Sequence, residues 1–266
     1  MTQPQPASDD LQSLCETGQA ELMRMEYIAA ERTLIRAESL ALALNDFDTL
    51  SRLYMPLQEA RRQRRQRCGE GMVNLRLIAR GADDPAIDPE KLIERYPQGQ
   101  LLIAGWGSIE PAKRFRQLQR ERNLYVETFL AAAYPDEDPS LGLLIAVFPS
   151  ADSPVPPPRS AQVIDRLPMP RGGFVLRESV LPEPRMGDDQ TYALVMSFWE
   201  AMHAPLLHSA DETVDLIEKM DAYRKVIAVD YACEMAHQSL SFAARAYHRA
   251  LVGRSLPDAV PSTALR

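Results

Sequence analysis

Fifteen of the 21 prolines lie between Pro85 and Pro184. Outside that window, the two tails apart, only Pro56 and Pro205 remain. A proline inside a helix removes a backbone donor and costs about 3 kcal/mol. Long helices are therefore open to the flanks and closed to the middle. This divides the 266 residues into a tail over 1–10, a helical segment over 11–71, a mixed region over 72–187, a helical segment over 188–254 and a tail over 255–266. A hydrophobic share of 45% is enough to bury a core. The expected fold class is mixed α/β and mostly α. Helical hairpins flank a small, largely parallel sheet of three or four strands.

In the first flank, Ser8 with Asp9 and Asp10 reads as a helix start. Leu11, Leu14, Cys15, Gly18 and Leu22 form one stripe. Tyr27, Ala30, Leu34, Ala37, Leu40, Ala41 and Leu44 form a second, broken by Asn45-Asp46. Asp48 is the expected cap of a third helix, with Leu50, Leu53, Tyr54, Leu57 and Ala60 on its apolar side. Leu14, Gly18, Tyr27, Ala30, Leu34 and Ala37 stand at the spacing of the 34-residue tetratricopeptide repeat, and a second repeat can begin near Asp46. Residues 11–68 resemble that family, although its usual tryptophan and closing proline are absent. An ordinary helical hairpin satisfies the same spacings. The resemblance implies stacked helical hairpins and a role in protein–protein interaction. One or two repeats bury too little surface alone, so the two flanks are expected to pack together.

In the middle, residues 73–79, 100–104 and 141–148 read as strands, and Asp88-Pro89 as a helix start. A longer helix is expected from Pro111 to about Ala133. Residues 153–158, SPVPPP, read as an extended linker, and 172–176 as an edge strand. In the second flank a helix is expected from Gln190 to His208, with Ser209 capping the next one. Val226, Val229, Cys233, Ala236, Leu240, Ala243, Tyr247 and Ala250 then keep a heptad rhythm that ends at Gly253.

Three groups of residues could carry chemistry. Glu200-Ala-Met-His203 and Glu234-Met-Ala-His237 are two Glu-x-x-His motifs, the type used by di-iron and di-manganese carboxylate bundles. They define an alternative reading as a metal-dependent oxidase or hydrolase. Helical phase tells against it, because Glu234 falls about 130° from the centre of its apolar stripe at 100° per residue. Arg61, Arg62, Arg64, Arg65 and Arg67 form a concentrated basic run. It reads as a contact for RNA or an acidic partner, or as a solvated helix face paired with Glu59 and Glu70. Trp106, in Gly105-Trp106-Gly107-Ser108, sits at an expected strand-to-helix turn but lacks a phosphate-binding fingerprint. Cys233 shares a stretch with His237, whereas a cysteine nucleophile ordinarily meets its histidine from another element.

A net charge of −7 disfavours general binding to nucleic acid or an anionic membrane surface. Three scattered cysteines make no disulfide framework. No run of 18 apolar residues is present, so no membrane span is expected. The first residues carry neither the basic nor the apolar stretch of a secretory signal, so a cytoplasmic location is expected. No motif implies a cofactor. The leading expectation is a scaffold or regulatory protein with a protein partner, of open oligomeric state.

Overall fold

A computed structural model describes residues 6–79, 87–105, 109–136, 138, 142–150 and 169–255. The linker at 153–158, the tail at 256–266 and Trp106 lie outside them. The fold is mixed α/β and mostly α, with one six-stranded sheet among the described residues. Two compact units are distinguished. One comprises Met1–Ala60, Ala210–Arg224 and Glu234–Arg266, the other Arg61–Ser209 and Lys225–Cys233. The partition expected at 71/72 and 187/188 follows element type, whereas this division falls inside helices.

The first unit is helical. It holds α1 (Pro6–Met23), α2 (Tyr27–Ala43) and the first part of α3 (Phe47–Gly69). It also holds the end of α6 (Asp189–Glu212), most of α7 (Leu216–Val229), and α8 (Glu234–Ser255). α1 starts at Pro6, so residues 6–10 are helical rather than tail; proline is tolerated in a first turn. α1 and α2 end in the same way. Met25 (φ 63°) and Asn45 (φ 54°) turn left-handed. The next amides, of Glu26 and Asp46, donate back to the carbonyls of Glu21 and Ala41. That is the Schellman stop, which satisfies carbonyls the helix leaves open. α3 is capped by Asp46, which accepts from the Thr49 amide at 3.0 Å, and not by Asp48, which pairs with Arg52. Gly18 lies against Leu34 so closely that a Cβ there would meet its side chain at 2.7 Å. Ala30, Ala37 and Ala41 are buried on the same helix face as Leu34. The expected packing of the two flanks is present within this unit. Phe47 meets Tyr247 edge-on at 4.6 Å, and Arg224 donates to the Tyr54 hydroxyl at 3.0 Å.

The second unit is a sheet with helices on both faces. Its strands are β1 (Met72–Ala79), β2 (Gln98–Gly105), β3 (Tyr125–Pro135), β4 (Leu143–Phe148), β5 (Phe174–Arg177) and β6 (Arg185–Met186). The order is β5-β4-β3-β2-β1-β6. Only β1, β2 and β3 run parallel to one another; β4, β5 and β6 pair antiparallel. The sheet is thus larger and more mixed than expected. The main reason is the segment read as one helix over 111–133. α5 (Ile109–Glu121) stops at Asn123 (φ 56°), where the Leu124 amide bonds to the Gln119 carbonyl, a third Schellman stop. Residues 125–135 then form β3, between β2 and β4. α4 (Pro89–Arg95) begins as expected, with Asp88 accepting from the amides of Glu90 and Lys91.

Alternation along the strands sends side chains to two cores. Leu101, Ile103, Val126 and Leu130 meet Ile93 of α4 and Phe115 of α5. Leu75, Leu102, Phe129 and Ala131 meet Val195, Phe198, Trp199 and Met202 of α6. α6 runs through Pro205 to Glu212, so Ser209 caps nothing. The next cap is Asp215, which accepts from the amides of Ile217 and Glu218. The heptad rhythm does not belong to one helix either. α7 ends at Val229 and α8 starts at Glu234 and runs past Gly253 to Ser255.

Candidate functional site

The site is built around Arg65. Arg61 and Arg65 are one turn apart on α3 and both are buried. Arg62 and Arg64 are half-buried, and Arg67 is exposed and paired with Glu70 at 2.9 Å. The run is therefore neither one free basic face nor one solvated face. A buried guanidinium needs partners for its charge and its donors. Arg65 Nε donates to Glu127 Oε1 at 3.0 Å, and Nη2 to Asp230 Oδ1 at 2.6 Å. Its guanidinium also lies 4.5 Å from the Trp199 ring centre and 4.9 Å from that of Tyr231, within cation–π range.

The two carboxylates are themselves satisfied. Tyr231 donates its hydroxyl to Glu127 Oε1, and Gln100 donates to Oε2 at 2.7 Å. Gln100 and Glu127 are register partners across β2 and β3 and share one sheet face. Asp230 lies in the α7–α8 connection. Its Oδ1 also accepts from the Ala232 amide at 3.2 Å, and its Oδ2 pairs with His203 Nδ1 at 2.6 Å. α3, β2, β3, α6 and the α7–α8 connection are thereby tied by one polar network. Such a network is favourable when every member is paired and costly when one is not.

Burial alone raises the Asp230 carboxyl; Arg65 and His203 outweigh it and hold it below the usual carboxylate value. Burial likewise opposes the Arg65 charge, but Glu127 and Asp230 outweigh it and hold Arg65 protonated. Tyr231 is pushed well up by burial and by Glu127, so it stays a hydroxyl donor. The folded value of Asp230 lies below its unfolded value, so its stabilisation is present above about pH 4 and is lost as pH falls through the folded value. Urea midpoints measured downward from pH 7 are expected to hold until about pH 4 and then fall. Asp230→Asn should weaken that acid dependence. An acid limb identical to the parent's would show that Asp230 is not the group titrating.

The two Glu-x-x-His motifs do not assemble. Glu200 and Glu234 are exposed, His203 is half-buried on α6 and His237 is buried on α8. Helical phase had already disfavoured Glu234. Among the described residues the ligand atoms that converge belong to His203, Asp230 and Cys233, within 4.8 Å of one another. Cys233 thus meets a histidine from a different element, α6. Asp230, which the unbroken heptad would place on the solvent side beside Glu234, is fully buried.

Reasoning from sequence missed Gln100, Glu127, Trp199, Asp230 and Tyr231. One signal was available. Glu127 and Thr128 interrupt the apolar Tyr125–Ala133 stretch, and a carboxylate inside a buried strand demands a buried partner. Comparison with family models, curated proteins and solved structures finds no match to this chain.

Proposed function

We propose that this chain is an interaction protein whose helical unit presents a surface to a protein partner, in the manner of tetratricopeptide-repeat proteins. The observation that carries the reading is exposed apolar surface on that unit. Val214 is 92% exposed and Phe242 67% exposed. Val214, Leu216, Tyr247 and Leu251 line an open groove of about 800 Å³ that Asp215 and Glu218 also border. Large apolar side chains left in water on a packed helical unit favour a covering partner. The close approach of Gly18 to Leu34, with small residues buried beside it, suits repeat-type stacking. A cytoplasmic site of action fits three cysteines that form no disulfide and the absence, among the described residues, of any helix long and apolar enough to cross a membrane.

The test is site-specific photo-crosslinking in the native host. A photoreactive phenylalanine analogue replaces Val214 or Phe242, and Gln117, exposed on α5, serves as control. Discrete protein adducts are expected from Val214 or Phe242 and none from Gln117. Folded protein that gives no adduct at the first two positions, or the same adducts at all three, would overturn the reading.

A further inference from the structure

Beyond the interaction role, the polar network reaches a thiol, with His203, Asp230 and Cys233 offering atoms within 4.8 Å of one another. Cys233 follows Asp230 by three residues, and its amide donates to the Asp230 carbonyl at 3.1 Å. That bond fixes the cysteine beside the aspartate. A carboxylate has no proton to give, so His203 Nδ1 carries the hydrogen toward Asp230. A thiol, an imidazole and an orienting carboxylate, brought together from two elements, are the components of an activated sulfur nucleophile. Asp230 is the positioning residue and His203 the base. Around them stand Arg65 from α3, Glu127 from β3 and Tyr231 from the same connection. Asp230, paired with His203 at 2.6 Å, favours the imidazolium that forms when the ring takes the thiol proton.

We infer that Cys233 is a peroxide-oxidisable thiol, activated by His203 and positioned for small hydroperoxides. The Cys233 proton passes to the His203 imidazole. The sulfur attacks the peroxide, an S–O bond forms and the O–O bond breaks. The leaving oxygen takes the proton from His203. Cys233 becomes a sulfenic acid, and hydrogen peroxide is reduced to water. Size selects the reagent, because Cys233 is only 4% exposed and its neighbour His203 is half-buried. The other two thiols provide internal controls. Cys68 is fully buried. Cys15 is more open, but burial pushes its thiol up and Asp46 and Glu16 add to that, with Arg52 opposing. A divalent cation is a poorer occupant of the cluster. Both Asp230 oxygens already accept from donors, and Arg65 holds its positive charge against that carboxylate.

The experiment uses the full chain with graded hydrogen peroxide, a sulfenic-acid-trapping dione and mass-spectrometric mapping of all three cysteines. Cys233 is expected to be trapped at least tenfold faster than Cys15 or Cys68. His203→Gln, checked for an intact cooperative melt, should slow Cys233 at least tenfold. The comparison among cysteines in the unaltered chain needs no variant, so it stands even if His203→Gln unfolds. Cys233 trapped no faster than Cys15 would overturn the inference. So would an unchanged rate in folded His203→Gln, or stoichiometric zinc retained through Cys233.

Discussion

Arg65→Leu is expected to destabilise the protein by about 3–5 kcal/mol, the cost of removing one member of a buried ion cluster. The loss comes from what remains. Glu127 and Asp230 would be left buried, 62 and 165 residues from Arg65 in sequence, without their shared cation. Leucine restores apolar volume but not charge. The measurement is the urea midpoint at neutral pH, read with Trp199 fluorescence because that ring lies against Arg65. Combining Arg65→Leu with Glu127→Gln and Asp230→Asn removes the stranded charges and should recover part of the loss. If Arg65→Leu alone costs less than about 1 kcal/mol, the network is not what holds these elements together.

Gly99→Val should lower stability by on the order of 4 kcal/mol or abolish cooperative folding, the range in which a substitution reports backbone conflict. Gly99 sits at φ 155°, and a Cβ there would lie 2.0 Å from the Met72 carbonyl oxygen. Met72 is its register partner on β1, so the clash is with backbone that cannot turn aside. Displacing β2 at this point also moves Gln100 away from Glu127. Gly99→Ala meets the same atom and should show a smaller loss of the same kind. Midpoints within about 0.5 kcal/mol of the parent for both would mean that β1 and β2 do not approach as described.

The helical flanks were legible because proline is a strong and local signal. The α4 start was legible for the same reason, with Asp88 and Pro89 side by side. β3 was not. Its residues 129–133, Phe-Leu-Ala-Ala-Ala, suit a helix as well as a strand, and what decides the matter is one left-handed residue, Asn123. The start of α7 was misplaced because Ser209, Asp211 and Glu212 look like a cap and an acidic first turn. In the fold they lie in the last turn of α6. The arginine run was visible, but its burial was not. Arginine at 61 and 65 reads as surface until a carboxylate arrives from β3 and another from the α7–α8 connection. Pairing over such separations leaves no trace in local spacing. His203 was singled out for a partner on α8, and it finds Asp230 and Cys233 in the connection preceding that helix.

The three Schellman turns and the capped helices can form as soon as their own residues leave the ribosome. The Arg65 cluster cannot. Asp230 is made 165 residues after the arginine it neutralises, and Glu127 62 residues after it. Until then Arg65 has to stay hydrated, and the aromatic slot between Trp199 and Tyr231 does not exist. Contacts of such long separation form late and slow folding. The growing chain therefore carries formed helices with an open polar centre for most of its synthesis. It closes that centre only when the α7–α8 connection emerges, so truncation before Asp230 should leave a species that chaperones hold rather than a folded domain.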